Sequence, residues 1–175
     1  MREERGNEET DRLVITVRDL SMGILCLLFT LASCTDGEVY YHFHHIDQAK
    51  WQRDNMLIFT MDSSLFQPDK DYNLSIELST NRGYPYRDLW LTVDHNLTDT
   101  VFQTDTLHIT MANEQGVWLG SGVGGIHQLS TPYLDQLSPS LRDSITGYRV
   151  IIGQLMHDNP LKGVEKVGLK IVEGK

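Results

Sequence analysis

"DYNLSIELST" (residues 71–80) is the stretch that decides the fold, because its apolar residues recur at every second position. One set of alternate positions is apolar: Tyr72, Leu74, Ile76 and Leu78. The intervening positions are polar: Asn73, Ser75, Glu77 and Ser79. Successive side chains of a β-strand point to opposite faces, whereas an α-helix needs a period of about 3.6 residues. This stretch therefore predicts a strand with one face in a core and the other in solvent.

The same period recurs along the chain. Three further segments alternate in this way: "DLWLTVDHNL" (88–97), "DTLHITM" (105–111) and "EKVGLKI" (165–171). Two segments are apolar on both faces and predict central strands: "NMLIFTM" (55–61) and "YRVIIGQLM" (148–156). "EVYYHFHHI" (38–46) predicts a weaker strand near the start of the patterned region.

Turn residues separate these segments, as in Asn81-Arg82-Gly83 and Asp158-Asn159-Pro160. Residues 133–142 could hold a short helix, but Pro139 interrupts it. Short strands divided by turns are typical of antiparallel sheets packed face to face. We therefore predict an all-β fold: an antiparallel β-sandwich, immunoglobulin-like or jelly-roll-like, of about seven or eight strands.

Charge and cysteine content exclude several classes of protein. The chain has 175 residues and a formal net charge of −9, so an acidic surface would repel the phosphates of a nucleic acid. Its two cysteines, Cys26 and Cys34, both precede the β-patterned region. The folded part therefore has no cysteine for a disulfide or a thiolate metal site.

The N-terminal segment has the features of an export signal. "MGILCLLFTL" (22–31) is an apolar run about half as long as a membrane-spanning helix requires. It ends in Leu31-Ala32-Ser33-Cys34, which resembles the lipobox of bacterial lipoproteins, where the cysteine becomes the lipidated N-terminus after cleavage. We therefore expect Cys34 to anchor the protein by lipid in the cell envelope, at the outer membrane.

These features divide the chain into four parts. Residues 1–21 form an atypical N-terminal extension whose many acidic residues suit a signal peptide poorly, which indicates either a true start downstream of Met1 or an atypical extended leader. Residues 22–33 form the apolar region and lipobox, and residues 34–38 form a lipidated tether. Residues 39–175 form a single β-sandwich domain, to which the predictions of fold and surface apply.

Three motifs have residue types that also occur in cofactor, metal or catalytic sites. "GSGVGG" (120–125) matches a dinucleotide fingerprint, but the strand-before and helix-after context is missing, so we expect a glycine-rich bend. His42, His44 and His45 could bind a metal, yet a solvated edge strand is favoured. Asp94, Asp99 and Asp105 could form a carboxylate pair of a glycosidase, but they flank a hairpin tip. We predict no catalytic residue, no metal and no cofactor.

Aromatic residues near turns indicate a candidate partner-binding surface. "NRGYPYRD" (81–88) places Tyr84, Tyr86 and Arg87 beside a turn, where we expect exposed side chains. The loop with Gly120, Gly122, Gly124 and Gly125 is the second part of this predicted surface. Trp90 could be exposed or buried, whereas Trp118 is expected in the core.

Three tripeptides resemble the sites at which exported proteins of the Bacteroidetes carry O-linked glycans. They are Asp99-Thr100-Val101, Asp105-Thr106-Leu107 and Asp143-Ser144-Ile145. Thr100, Thr106 and Ser144 are therefore candidate glycosylation sites.

Several motifs in one order resemble a known family. The lipobox cysteine, "NRGYPYRDLWL" (81–91) and "DTLHITMANEQGVWLGSG" (105–122) are similar to those of GldH, the gliding-motility-associated lipoproteins of the Bacteroidetes. The resemblance covers residues 34–175. It implies an envelope lipoprotein without enzymatic activity that acts beside other motility lipoproteins and secretion components. The alternative functions are a carbohydrate-binding module, with a glycan as ligand, and an envelope hydrolase.

Overall fold

In the computed structural model, residues 37–99, 101–139 and 147–174 are described, and they form an all-β structure. The strands are β1 (Glu38–His45), β2 (Lys50–Trp51), β3 (Leu57–Asp62), β4 (Tyr72–Asn81), β5 (Asp88–His95), β6 (Gln103–Thr110), β7 (Ser121–Val123), β8 (Ile126–Leu137), β9 (Gly147–Gln154), β10 (Leu161–Lys162) and β11 (Val164–Glu173). Eight of these have six residues or more, which agrees with the predicted number of strands. Single 3-10 turns occur at Asp47–Ala49 and Ser63–Leu65.

Two antiparallel sheets form the sandwich. Sheet A has the order β1-β11-β4-β8-β7, and sheet C has the order β3-β9-β5-β6. The pair β10-β2 forms a separate short ribbon, sheet B. The predicted antiparallel β-sandwich is therefore confirmed.

Residues 72–80 of the alternating segment "DYNLSIELST" (71–80) lie in β4, at the centre of sheet A. Its apolar residues Tyr72, Leu74, Ile76 and Leu78 are buried, as the period of two predicts. β11 pairs with one edge of β4 and β8 pairs with the other, so the backbone groups of this strand are satisfied on both sides.

The core lies between the two sheets. Sheet A contributes the buried side chains of β4 and β11, among them Leu169 and Ile171. Sheet C contributes Leu89, Leu91, Val93, Phe59, Met61, Val150 and Ile152, all of them buried. Burying a side chain of this size stabilises the fold by about 1.5–3 kcal/mol, so these alternating positions are the main source of stability.

One prediction of local structure is wrong. β3 was predicted as a central strand, but it lies at the edge of sheet C, and its residue Ile58 is 51% exposed. Its second apolar face packs beside Ile151 on the outer surface of the sheet, not in a core. Residues 133–137 continue β8 and do not start a helix, because β4 offers a full-length partner as far as the pair Tyr72 and Leu137. Residues 140–142 of the stretch that could hold a short helix lie outside the described part of the chain.

The glycine-rich segment forms the hairpin between β7 and β8, which confirms the predicted bend. Val123 pairs with Ile126, and Gly124 and Gly125 between them have φ angles of 66° and 89°. Two consecutive positive φ angles are typical of a type I′ turn, which needs residues without a Cβ. The dinucleotide fingerprint therefore serves as a turn in an antiparallel hairpin.

Within the described residues, no helix is long and apolar enough to cross a membrane. The predicted leader (1–33), the lipidation residue Cys34 and the glycosylation candidates Thr100 and Ser144 lie outside the described residues.

Candidate interaction surface

The outer face of sheet C carries an exposed aromatic side chain. Trp90 follows the buried Leu89 on β5, so the alternation of the strand directs its indole away from the core, and the residue is 43% exposed. Its ring stacks on that of His108, the cross-strand neighbour on β6, with centroids 4.4 Å apart and an interplanar angle of 17°. The pair forms a stacked aromatic platform on the outer face of the sheet.

A carboxylate holds this platform in place. His108 Nε2 donates to Asp88 Oδ1 at 2.9 Å, and the hydroxyl of Thr110 donates to the same oxygen at 3.3 Å. These contacts restrict the imidazole and thereby the indole stacked on it. A ring held in one orientation loses little conformational entropy when a partner binds.

Apolar side chains extend the platform across the sheet. Leu155, Met56 and Ile58 are exposed, although each is large and apolar. The backbone N–H of Leu155 donates to the carbonyl of Trp90 at 2.9 Å, so Leu155 lies beside the indole. The thioether of Met56 covers Gly153, where a Cβ would lie 2.7 Å from its sulfur. We call Met56, Ile58, Trp90, His108 and Leu155 the Trp90 face.

The predicted exposure of Tyr84 is wrong. The residue is only 4% exposed, and its hydroxyl donates to the carbonyl of Asp88 at 2.8 Å. The reason is Gly163, whose φ of 86° and missing Cβ let the backbone of Tyr84 approach closely. Burial raises the pKa of the Tyr84 phenol, and the Asp88 carboxylate raises it further. Tyr84 is therefore part of the core and leaves no ring for a partner to contact.

Tyr86 and Arg87 remain at the surface beside the buried Tyr84. Tyr86 is half-buried, and a hydrogen bond to the side chain of Asp158 raises the pKa of its phenol. Arg87 is exposed, and its Nε lies 4.0 Å from a carboxylate oxygen of Asp88, at the border of the Trp90 face. This part of the predicted surface is therefore continuous with the platform.

The β7–β8 hairpin is the second predicted part of the surface. Val123 at its tip is 89% exposed. Gly120 and Gly122 are required for close contact within the hairpin, because a Cβ on either would lie within 2.6 Å of a backbone oxygen of β8. Trp118, expected in the core, is half-buried: it packs against the core and stacks on His127 with centroids 4.8 Å apart.

The histidines of β1 lie at the edge of sheet A, as expected for an edge strand. His44 Nε2 lies 2.9 Å from the carbonyl of Ile58 on β3, and both His42 and His44 contact the ring of Phe59. His45 is exposed and pairs with Lys166 of β11. Among the described residues, no three His, Cys, Asp or Glu side chains are grouped so that they could hold a metal.

Asp105, one of the three aspartates that could supply a carboxylate pair, has structural contacts. Asp105 Oδ2 accepts a hydrogen bond from Tyr133 at 2.6 Å and lies 3.6 Å from Nε2 of the buried His95. The His95 Nδ1 accepts from the backbone N–H of Leu97 at 3.4 Å, and the buried Nε2 has no hydrogen-bond partner among the described residues. The sequence could not reveal this cluster, because its members come from β5, β6 and β8.

Comparison with known proteins agrees with this architecture and these motifs. A family model described as GldH lipoprotein matches residues 38–171. A gliding motility lipoprotein GldH homolog of Christiangramia forsetii is 27% identical over 161 residues, which cover 86% of this chain and 95% of that protein. Gliding motility lipoprotein GldH of Flavobacterium johnsoniae is 28% identical over 163 residues, which cover 89% of this chain and 98% of that protein.

Among solved structures, the crystal structure of infectious bursal disease virus VP2 subviral particle aligns with 76% of this chain at 15% identity. The alignment covers 32% of the viral chain, and its TM-score of 0.29 is too low to support any conclusion about fold or function. The family match and the two full-length relatives are sufficient by themselves. The chain belongs to the GldH lipoprotein family.

Proposed function

We propose that this chain is a non-enzymatic, lipid-anchored protein of the cell envelope that binds protein partners in the gliding-motility and secretion apparatus. Its membership of the GldH lipoprotein family supports the envelope and motility context. The observation that supports the binding role is the Trp90 face, where an aromatic pair held by hydrogen bonds lies among exposed apolar side chains. Exposed apolar patches on a sheet typically mark surfaces that a partner covers.

The anchor in this proposal is Cys34, with fatty-acyl chains such as palmitate in the outer membrane and residues 34–38 as the tether. Each buried methylene contributes about 0.8 kcal/mol to membrane attachment, so two or more chains hold a protein stably. The β domain then presents Tyr86, Arg87, the Trp90 face and the hairpin with Gly120, Gly122, Gly124 and Gly125 to other envelope proteins.

Modification of the exported chain is part of the same proposal. Thr100, Thr106 and Ser144 are the candidate O-glycosylation sites, and Thr106 is exposed on β6. Mass spectrometry of peptides from the protein made in its native host would detect hexose increments at these positions. Unmodified peptides at all three would contradict this part of the proposal.

A photo-crosslinking amino acid placed at Trp90 in the native host tests the binding role. The matched control is Ser130, which is also exposed on a strand but lies on the outer face of sheet A. We expect defined crosslinks to motility or secretion proteins from position 90 and few from position 130. Equal labelling at both positions, or crosslinks that free sugars displace, would contradict a protein-binding role for this face.

Carbohydrate binding is the second candidate function, and one observation favours it. An indole beside an imidazole and a carboxylate combines a surface for stacking on a sugar ring with groups that bind hydroxyls. Because Tyr84 is buried, a glycan-array test belongs on Trp90 and Tyr86. Glycan binding that is lost in Trp90→Ala would favour this function. Absence of glycan binding by the wild-type chain would exclude carbohydrate binding as a function.

A further inference from the structure

β6 is a regular strand at the edge of sheet C. It pairs with β5 over its whole length, from Gln103 to Thr110, without any register shift. In the described part of the chain, β5 is its only strand neighbour. The side chains of Thr104, Thr106 and His108 are exposed. A straight edge of this length presents a row of backbone groups on which another chain can pair.

The direction of those backbone groups follows from one hydrogen bond. The carbonyl of Trp90 accepts from the N–H of Leu155, so the backbone groups of Trp90 point toward β9 and away from β6. In an antiparallel ladder, the two residues of a non-hydrogen-bonded pair both point their backbone N–H and C=O groups away from the boundary between their strands. His108 is the residue opposite Trp90, and the period of two gives Thr104 and Thr106 the same direction. Their N–H and C=O groups therefore face outward.

The other edges are shorter, irregular or obstructed. β1, at the edge of sheet A, has a register shift between Glu38 and Tyr40. β8 contains Pro132, two register shifts in its pairing with β4, and Gln136 with a φ of 52°. A proline removes a donor and an irregular ladder bends the strand, and both features hinder pairing. On the opposite side of the sandwich, His44 contacts the carbonyl of Ile58 and occupies an outward acceptor of β3. β6 is the edge that combines length with regularity.

Apolar side chains of the core beside β6 are incompletely buried. Leu107 of β6 is half-buried, as are Leu129 and Leu134 of β8, and all three pack against the core without being covered by it. The hydrogen bond from Tyr133 to Asp105 shows that β6 and β8 lie on the same side of the sandwich. An apolar side chain inserted there would cover these leucines.

The outer face of the same edge is acidic. Asp88 and Asp94 lie on β5, opposite Thr110 and Thr104 of β6, and neither carboxylate points into the core. Lysine or arginine side chains on an added strand would complement these charges. A second copy of this chain, with a net charge of −9, would bring more carboxylates to the edge.

We infer that β6 accepts an extended segment of a partner protein as an additional strand, with apolar residues alternating with lysine or arginine. Main-chain hydrogen bonds would supply affinity, and the alternating side chains would supply specificity. The inference rests on the proposed role in protein binding and names the edge and the partner's chemistry.

Fluorescence anisotropy of a labelled peptide, (Lys-Val)4, with the purified full chain tests this inference. Thr106→Pro removes an outward N–H without breaking the β5–β6 ladder, and Thr106→Val is the matched control that keeps the donor. We expect saturable binding that weakens about tenfold or more in Thr106→Pro and is retained in Thr106→Val. A (Glu-Val)4 peptide should not bind.

Equal binding of (Lys-Val)4 to wild type and Thr106→Pro, with both variants folded by circular dichroism, would overturn the inference. Sedimentation that shows a dimer of the wild-type chain, lost in Thr106→Pro, would also overturn it, because a second copy would then occupy the edge. These failures are distinguishable from failure of the proposed function, since Thr106→Pro alters only the backbone edge of β6, whereas crosslinking at Trp90 detects partners on the outer face of sheet C whatever their mode of binding.

Discussion

The hydroxyl of Tyr133 on β8 donates a hydrogen bond to the carboxylate of Asp105 on β6 at 2.6 Å, and this bond joins the two sheets on one side of the sandwich. The same carboxylate lies 3.6 Å from Nε2 of His95, which is buried. A charge on an edge strand is therefore held against the core by groups from both sheets.

Removing this link should destabilise the sandwich. Tyr133→Phe keeps the ring and deletes the donor, so the carboxylate of Asp105 loses its short partner. A hydrogen bond to a charged group contributes about 1.5–3 kcal/mol, and partial solvation of Asp105 places the expected loss near the lower value. Urea denaturation measures it. Tyr41→Phe, at an exposed position on the outer face of sheet A, is the control and should change the free energy of unfolding little.

Alkaline pH should weaken the same fold. Burial raises the pKa of the phenols of Tyr84 and Tyr133 above the ordinary value of 10.0, and neighbouring carboxylates add to the shift. A raised pKa in the folded state means that the stabilisation is present below pH 10 and is lost as the pH rises above it. Absorbance of phenolate near 295 nm should show that Tyr84 and Tyr133, whose pKa values are raised most, ionise later than the other tyrosines and together with unfolding. Simple titration of every tyrosine near pH 10 in the folded protein would contradict this.

Two glycines of the β7–β8 hairpin should respond differently to the same substitution. Gly124 has a φ of 66° and no atom near its missing Cβ, so Gly124→Ala costs about 1 kcal/mol of backbone strain. At Gly120, with a φ of 93°, a Cβ would also lie 2.2 Å from the carbonyl oxygen of Gln128. We expect Gly120→Ala to destabilise the protein clearly more in thermal unfolding. Equal losses would show that the hairpin adjusts freely.

Loss of the proposed anchor should change where the protein is found. Cys34→Ala removes the only thiol that the lipobox places at the cleavage site, and we expect the chain to leave the membrane fraction and to lose labelling by a palmitate analogue. Cys26→Ala lies in the proposed leader and serves as the control, with localisation unchanged. Persistent acylation of Cys34→Ala would refute the lipoprotein proposal.

The alternation of single segments was sufficient to predict most of the fold. β4, β5, β6 and β11 each have apolar residues at every second position, and in each the core-facing residues are those that the pattern indicates. The glycine pair predicted a bend for an equally local reason, since consecutive positive φ angles favour residues without a Cβ. The family followed from motifs in one order and needed no structure.

The alternation within a single segment does not predict positions whose environment depends on another strand. β3 is apolar on both faces, and only its place at the edge of sheet C shows that one of those faces is solvent-exposed. Tyr84 sits beside a turn, where aromatic side chains are often exposed, yet the absence of a Cβ at Gly163 lets it enter the core.

The sequence by itself determined the strands, the family and the proposed lipidation residue, because a period of two and a lipobox are properties of neighbouring residues. The tertiary structure decided which side chains meet. Trp90 stacks on His108, and Asp105 contacts both Tyr133 and His95, across separations in sequence that no local pattern encodes. Sheet order sets these contacts, because it determines which strand lies at the edge of a sheet and which residues lie opposite each other on neighbouring strands.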